Sequence, residues 1–199
     1  MIRCIAARLC AVTALLAAAS TASAVDYYYV GLTGGDFFEQ NNWNDSPDGL
    51  GSFLATPVID LGTGDVEHSL IVDGDMVAAA ADIDFGMGSL TLDSGSSLTV
   101  SGSEITFGSG SSLTMIGSSL MVDGGSSGQI ELNSGSSASF TGANVVATDD
   151  IFFRSNVSIV DSYFESTVYM EDICARLVLD SECGESMFVQ GPFISTSTT

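Results

Sequence analysis

Two segments of the chain carry an acid and a base at the same offset: Asp150-Ile151-Phe152-Phe153-Arg154 and Asp172-Ile173-Cys174-Ala175-Arg176. The two aspartates are 22 residues apart, and so are the two arginines, so a fold with that period would set them side by side. An arginine flanked by carboxylates can orient an acidic sugar or take a proton from it. The same carboxylates, with Glu171, can equally hold each guanidinium in a plain salt bridge. A second group, Asp82, Asp84 and Glu104, offers the oxygen ligands that a hard cation such as Ca²⁺ takes. No Gly-Gly-x-Gly-x-Asp repeat accompanies it, and a solvated acidic face explains the same residues. Trp43, the only tryptophan, is either a flat platform for a sugar ring or a cover for apolar side chains. His68, the only histidine, has no cysteine or serine nucleophile at motif spacing and reads as a solvated turn residue.

The N-terminus, MIRCIAARLCAVTALLAAASTASA, has the form of a Sec-type signal peptide. Arg3 and Arg8 precede an apolar run, and Ala22-Ser23-Ala24 marks a cleavage point before Val25. The apolar run is too short to span a bilayer, so residues 25–199 are expected to be secreted, with no transmembrane segment. They keep two arginines, Arg154 and Arg176, against all 25 acids, a net charge of −23, and no lysine. Such a surface repels nucleic acid and anionic lipid. It suits solubility in salty media, or an encounter with cations or basic partners. Cys174 and Cys183 then face an oxidising compartment, where a disulfide between them is the expected state.

What must position these residues is a repeat. Ile59 begins IDLGTG, Ile83 begins IDFGMG, Ile105 begins ITFGSG and Ile130 begins IELNSG; Ile151, Ile173 and Ile194 continue at intervals of 21 to 25 residues. Each interval holds further alternating apolar pairs, such as Leu90/Leu92 and Leu98/Val100, separated by Gly-Ser turns. Period-two alternation is the strand signature, and the Gly-Ser segments are turns. An antiparallel meander gives like residues no reason to recur every third strand. A right-handed, single-stranded parallel β-helix does, because equivalent residues then stack on successive coils. The expectation is therefore an all-β solenoid of about seven coils of roughly 22 residues, three short strands per coil.

The domains follow: signal peptide 1–24, an aromatic capping segment 25–57 and a β-helix 58–199. In the cap, Tyr27, Tyr28, Tyr29, Phe37, Phe38 and Trp43 would lie across the first coil and shield its open edge. The closing stretch GPFISTSTT shows no such cover, which reads either as a fragment boundary or as an edge that pairs with a partner. Residues flanking each isoleucine, Asp82, Asp84, Glu104, Glu131, Asp150 and Asp172 among them, would form one acidic wall. Outward Thr91, Thr99, Thr106 and Thr114 have the composition of the flat threonine arrays of ice-binding solenoids, over few coils.

The signal peptide, the Asn-Asn-Trp-Asn element at 41–44 and coils such as LTLDSGSSLTV resemble secreted bacterial β-helix proteins. These are the passenger-like relatives of autotransporter adhesins, also found with PEP-CTERM sorting signals. The resemblance implies a secreted or cell-surface structural or adhesive solenoid without catalytic activity. Its partner would be an extracellular polysaccharide or another surface protein. Because β-helices also include polysaccharide lyases that use carboxylate-held calcium and a basic side chain, the alternative is a carbohydrate-active β-helix. That alternative is a lyase or glycan binder using Arg154, Arg176, Asp150 and Asp172.

Overall fold

The computed structural model describes residues 25–54 and 68–170, with the backbone of two further strands at Leu177–Asp180 and Met187–Phe188. The signal segment, Ile59, Ile173, Ile194 and the Cys174–Cys183 pair lie outside the described residues. The protein is all-β, a solenoid of about four turns of stacked parallel coils, with one short 3-10 helix at Gln40–Asn42 among the described residues.

Three short strands come first: β1 (Asp26–Tyr29), β2 (Gly35–Asp36) and β3 (Trp43–Asn44). The first coil is β4 (Ser69–Val72), β5 (Met76–Ala79) and β6 (Ile83–Phe85). The second is β7 (Ser89–Leu92), β8 (Ser97–Val100) and β9 (Glu104–Phe107). The third is β10 (Ser112–Ile116), β11 (Ser119–Val122) and β12 (Gln129–Leu132). Beyond it β13 (Ser137–Thr141) and β15 (Asn156–Val160) stay short, but β14 (Asn144–Phe153) and β16 (Tyr163–Met170) each run through a corner unbroken. Strands β17 (Leu177–Asp180) and β18 (Met187–Phe188) follow.

Each strand pairs in parallel with its equivalent one coil on, which makes three walls. The first wall is β4, β7, β10, β13, β15 and β17. The second is β5, β8, β11 and the leading halves of β14 and β16. The third is β6, β9, β12, the trailing halves of β14 and β16, and β18. Alternation sends every second side chain inward. Leu70, Leu90, Leu113, Ala138 and Val157 therefore form one inner file, and Ile83, Ile105, Ile130 and Ile151 another, all buried. Two residues further along the third wall, Phe85 and Phe107 stack with ring centroids 4.9 Å apart and 3° between planes. Burying a side chain of this size contributes about 1.5–3 kcal/mol.

The corners use glycine for two reasons. Gly110 closes a turn from the third wall to the first at φ 89°, a conformation that side chains with a Cβ resist. Gly102, at a corner between the second and third walls, sits where a Cβ would lie 2.4 Å from the backbone of Ala81 and Asp82 on the neighbouring coil.

The isoleucine file departs from expectation after Ile151. The residue in register with Ile151 is Val168, only 17 positions on, and Met187 follows it. The coil shortens because β16, like β14, turns the corner between the second and third walls without a Gly-Ser loop, and the register shifts between Val146 and Asp150. The next described place in the file after Ile151 therefore belongs to Val168, and Ile173 lies outside the described residues.

Strand β1 pairs in parallel with β4 and antiparallel with β3, while β2 pairs with β5. Tyr29, Phe37 and Trp43 meet edge to face, and Phe37 touches Phe85 at 6.4 Å, so this segment shares one core with the coils.

Candidate functional site

The residues singled out from the sequence fall mainly on the third wall, in two outward rows. One row is Asp82, Glu104, Gln129, Asp150 and Thr167; the other is Asp84, Thr106, Glu131, Phe152 and Tyr169. Stacked positions are roughly 4.8 Å apart, a spacing at which carboxylates repel one another. The rows largely avoid this: among the described residues Asp82 beside Glu104 is the one acid-on-acid step, the remaining acids being separated by Gln129, Thr106 or an aromatic residue. The Asp82 carboxylate also accepts a hydrogen bond from the Glu104 N–H at 3.0 Å, and the Thr106 hydroxyl donates to Glu104. Asp84 stands across from Thr106 in the second row. Among the described residues no three His, Cys, Asp or Glu side chains are grouped so as to hold a metal ion.

Arg154 closes the third wall. Its Nη1 lies 3.1 Å from Glu131 Oε2 and donates to Asn133 Oδ1 at 3.2 Å, and its guanidinium stands 5.0 Å over the Phe152 ring. The partners the sequence offered were Asp150, Asp172 and Glu171; the observed ion pair is with Glu131, one coil back. Asp172 and Arg176 lie outside the described residues, and the position beside Asp150 on the next coil belongs to Thr167. The stacked Asp150–Asp172 and Arg154–Arg176 pairs expected from the spacing therefore involve residues outside the described ones. Burial, and secondarily the Asp149 charge, hold the Asp150 carboxyl above the usual aspartate range.

Trp43 has no exposed face: it is fully buried, its indole N–H donating to the Phe37 carbonyl at 2.7 Å. It is a core residue, which corrects the sugar-platform reading. The Asn-Asn-Trp-Asn element is structural throughout. Asn44 is buried, accepts from the Ser46 and Gly51 N–H groups and donates to the Gly49 and Gly51 carbonyls, so all of its polar capacity folds one loop. His68 packs edge-on against Tyr27 at 5.2 Å, with Nδ1 buried and without a hydrogen-bond partner among the described residues. Of the four threonines, Thr91 and Thr114 pair on the first wall, but Thr99 lies on the second and Thr106 on the third. They do not form one array.

The chain matches no protein-family model, no curated protein and no solved structure. No helix among the described residues is long and apolar enough to cross a membrane.

One feature lay beyond sequence reasoning. Where β14 and β16 bend, a groove of about 890 Å³ opens, walled by Thr148, Asp149, Tyr163, Glu165, Ser166 and Thr167. Tyr163 is 49% exposed. The available signal was negative: NVVATDD and YFEST have no glycine where the second and third coils place Gly102 and Gly124. Beside the groove, on the outer surface of the third wall, Phe152 and Tyr169 stack at 5.1 Å with 14° between ring planes.

Proposed function

We propose that this chain is a secreted or cell-surface bacterial solenoid that acts as a structural and adhesive element without catalysis. In this reading the column is a right-handed single-stranded β-helix, closed at one end by residues 25–57 as a cap. It extends over the about seven coils that the sequence spacing allows. The observation that carries the reading is the register: equivalent residues align through successive coils on all three walls. A rod of this kind is stiff, because each coil is held by its neighbours, and it displays repeating rows of small hydroxyls and acids to its surroundings. Arg154 supports the same reading, since its guanidinium is ion-paired to Glu131. Ca²⁺ in this picture is a loosely held counter-ion along the third wall, with a titration no tighter than about millimolar, as for weak extracellular sites.

Two measurements test the proposal. Bacterial cells displaying residues 25–199 should aggregate or adhere more than cells displaying Ile105→Asp, which disrupts the inner file. The secreted protein, incubated with polygalacturonate and calcium, should release no unsaturated sugars. Release that disappears in Arg154→Ala would establish a lyase instead.

A further inference from the structure

The groove at the bends of β14 and β16 breaks the regularity of an otherwise flat-walled column, and its lining differs from every wall. We propose that it binds a pyranose oligosaccharide free of acid groups, with amino sugars preferred over their N-acetylated forms. This goes beyond the scaffold reading and does not depend on it.

Size comes first. A groove of about 890 Å³ is ample for more than one sugar ring, within the range of about 300–1,000 Å³ usual for ligand pockets. Aromatic surface comes second. Half of Tyr163 is open at one side of the groove. Thr167 lines the other side, and Tyr169 lies two residues along the same strand, roughly 6.6 Å further. There Tyr169 stacks on Phe152, whose ring the Arg154 guanidinium also covers, so Tyr163 is the ring open to a ligand. A pyranose offers an apolar C–H face to such rings and hydroxyls at its rim, which suits amphipathic aromatic side chains.

Polar groups come third. The Thr148 hydroxyl accepts from the Gly128 N–H at 3.2 Å, which leaves its own proton to donate. The Asp149 carboxylate is held in place by Gln129 Nε2 at 2.9 Å, so it is pre-set and loses little freedom on binding. Ser166 and Thr167 add further hydroxyls.

Charge decides the class of sugar. Among the described residues the groove is lined by Asp149 and Glu165 and by no lysine, arginine or histidine, while Arg154, over the neighbouring Phe152, is ion-paired to Glu131. A chain of net charge −21 carrying such a groove repels an acidic polymer and attracts an ammonium group. Asp150, adjoining Asp149, is already disfavoured in its charged form by burial and by that neighbour, a condition that a bound cation beside them relieves.

Calorimetric titration of residues 25–199 tests this with four probes: glucosamine oligomers, N-acetylglucosamine oligomers, polygalacturonate and oligolysine. The expected result is binding of the glucosamine oligomer, weaker binding of the N-acetylated one, none of polygalacturonate, and binding of oligolysine weaker than that of the glucosamine oligomer. Tyr163→Ala should weaken both saccharides by up to about tenfold, the worth of one aromatic contact. Glu165→Gln should weaken only the amino form. Tyr163 is half-exposed, so an unchanged thermal midpoint will show that its variant folds. Absence of saccharide binding, equal affinity for the N-acetylated form, or no effect of Tyr163→Ala would overturn the proposal. So would oligolysine binding as tightly as glucosamine, which would make the groove a peptide site. None of these outcomes bears on adhesion or on product release, so failure here is distinguishable from failure of the scaffold reading.

Discussion

The first and third walls are built alike on the inside and differently on the outside. Inside, both present buried files of Leu, Ile, Val and Phe, aligned coil on coil. Outside, the first wall carries Ser69, Ser89, Ser112, Ser137 and Asn156 in one row and Ile71, Thr91, Thr114, Ser139 and Ser158 in the other, without a charge. The third wall's rows hold Asp82, Asp84, Glu104, Glu131 and Asp150. The difference teaches where the constraint lies. Folding needs only the inward half of the alternation, so the outward half is free to give each wall its own chemistry. The acids keep the third wall hydrated and discourage sheet-to-sheet stacking. The first wall instead satisfies itself locally: the Ser89 hydroxyl donates to Ser69 at 2.9 Å.

The largest effect should come from the part the walls share. Phe107→Ala, under the third wall, is expected to cost about 3–5 kcal/mol, and Leu113→Ala, under the first, about 2–5 kcal/mol. Urea unfolding of each variant will show it. A third-wall loss alone would mean that the walls are not equivalent inside. Next in size are exchanges of the outward rows. Thr91→Asp combined with Thr114→Asp places two carboxylates in register on the first wall. A double-mutant cycle should show up to about 1 kcal/mol of unfavourable coupling at low salt, fading at high salt. Asp82→Asn tests the converse. It keeps the acceptor for the Glu104 N–H but removes the one acid-on-acid step, so stability should rise at low salt and stay level at high salt. Glu131→Gln should cost no more than about 1 kcal/mol, because both partners of its ion pair with Arg154 are partly solvated, 21% and 30% exposed.

The inside of the walls was legible in the sequence because it obeys a period. Ile83, Ile105, Ile130 and Ile151 occupy one file because pleating leaves each inward position a single neighbour above and below. The acids beside them were legible as an outward stripe for the same reason. What escaped was whatever depends on coil length. Between Ile151 and Val168 the chain omits a corner loop, and a fixed spacing then points to Ile173, Asp172 and Arg176 where the register points to Val168 and Thr167. Trp43 stayed open between two readings for a different reason. An aromatic residue in an irregular segment looks the same whether it covers a core or faces solvent, and only the hydrogen bond to Phe37 and the rings around it decide. The groove was invisible because it arises from two bent strands lying side by side, a property of neither strand alone.

The smallest effect is also the one that ties the acidic wall to the groove beside it. Asp150 is held above the ordinary aspartate range, first by burial and then by Asp149. The folded state therefore binds this proton more tightly than the unfolded chain does. Its contribution to stability is full below the unfolded value, near pH 4, and is lost as pH rises through the higher folded value. Asp48 runs the opposite way. Hydrogen bonds from Ser46 and the Leu50 N–H hold its carboxyl below the usual range, so what it adds is present above the unfolded value and lost in acid. Asp150→Asn removes the first slope and leaves the second. The variant should equal the wild type at about pH 4 and exceed it at neutral pH, as read from urea midpoints across that interval. Parallel pH curves for the two proteins would mean that Asp150 is as well solvated as the acids of the open wall. The strain beside the groove would then be absent, and with it one reason for a cation to settle there.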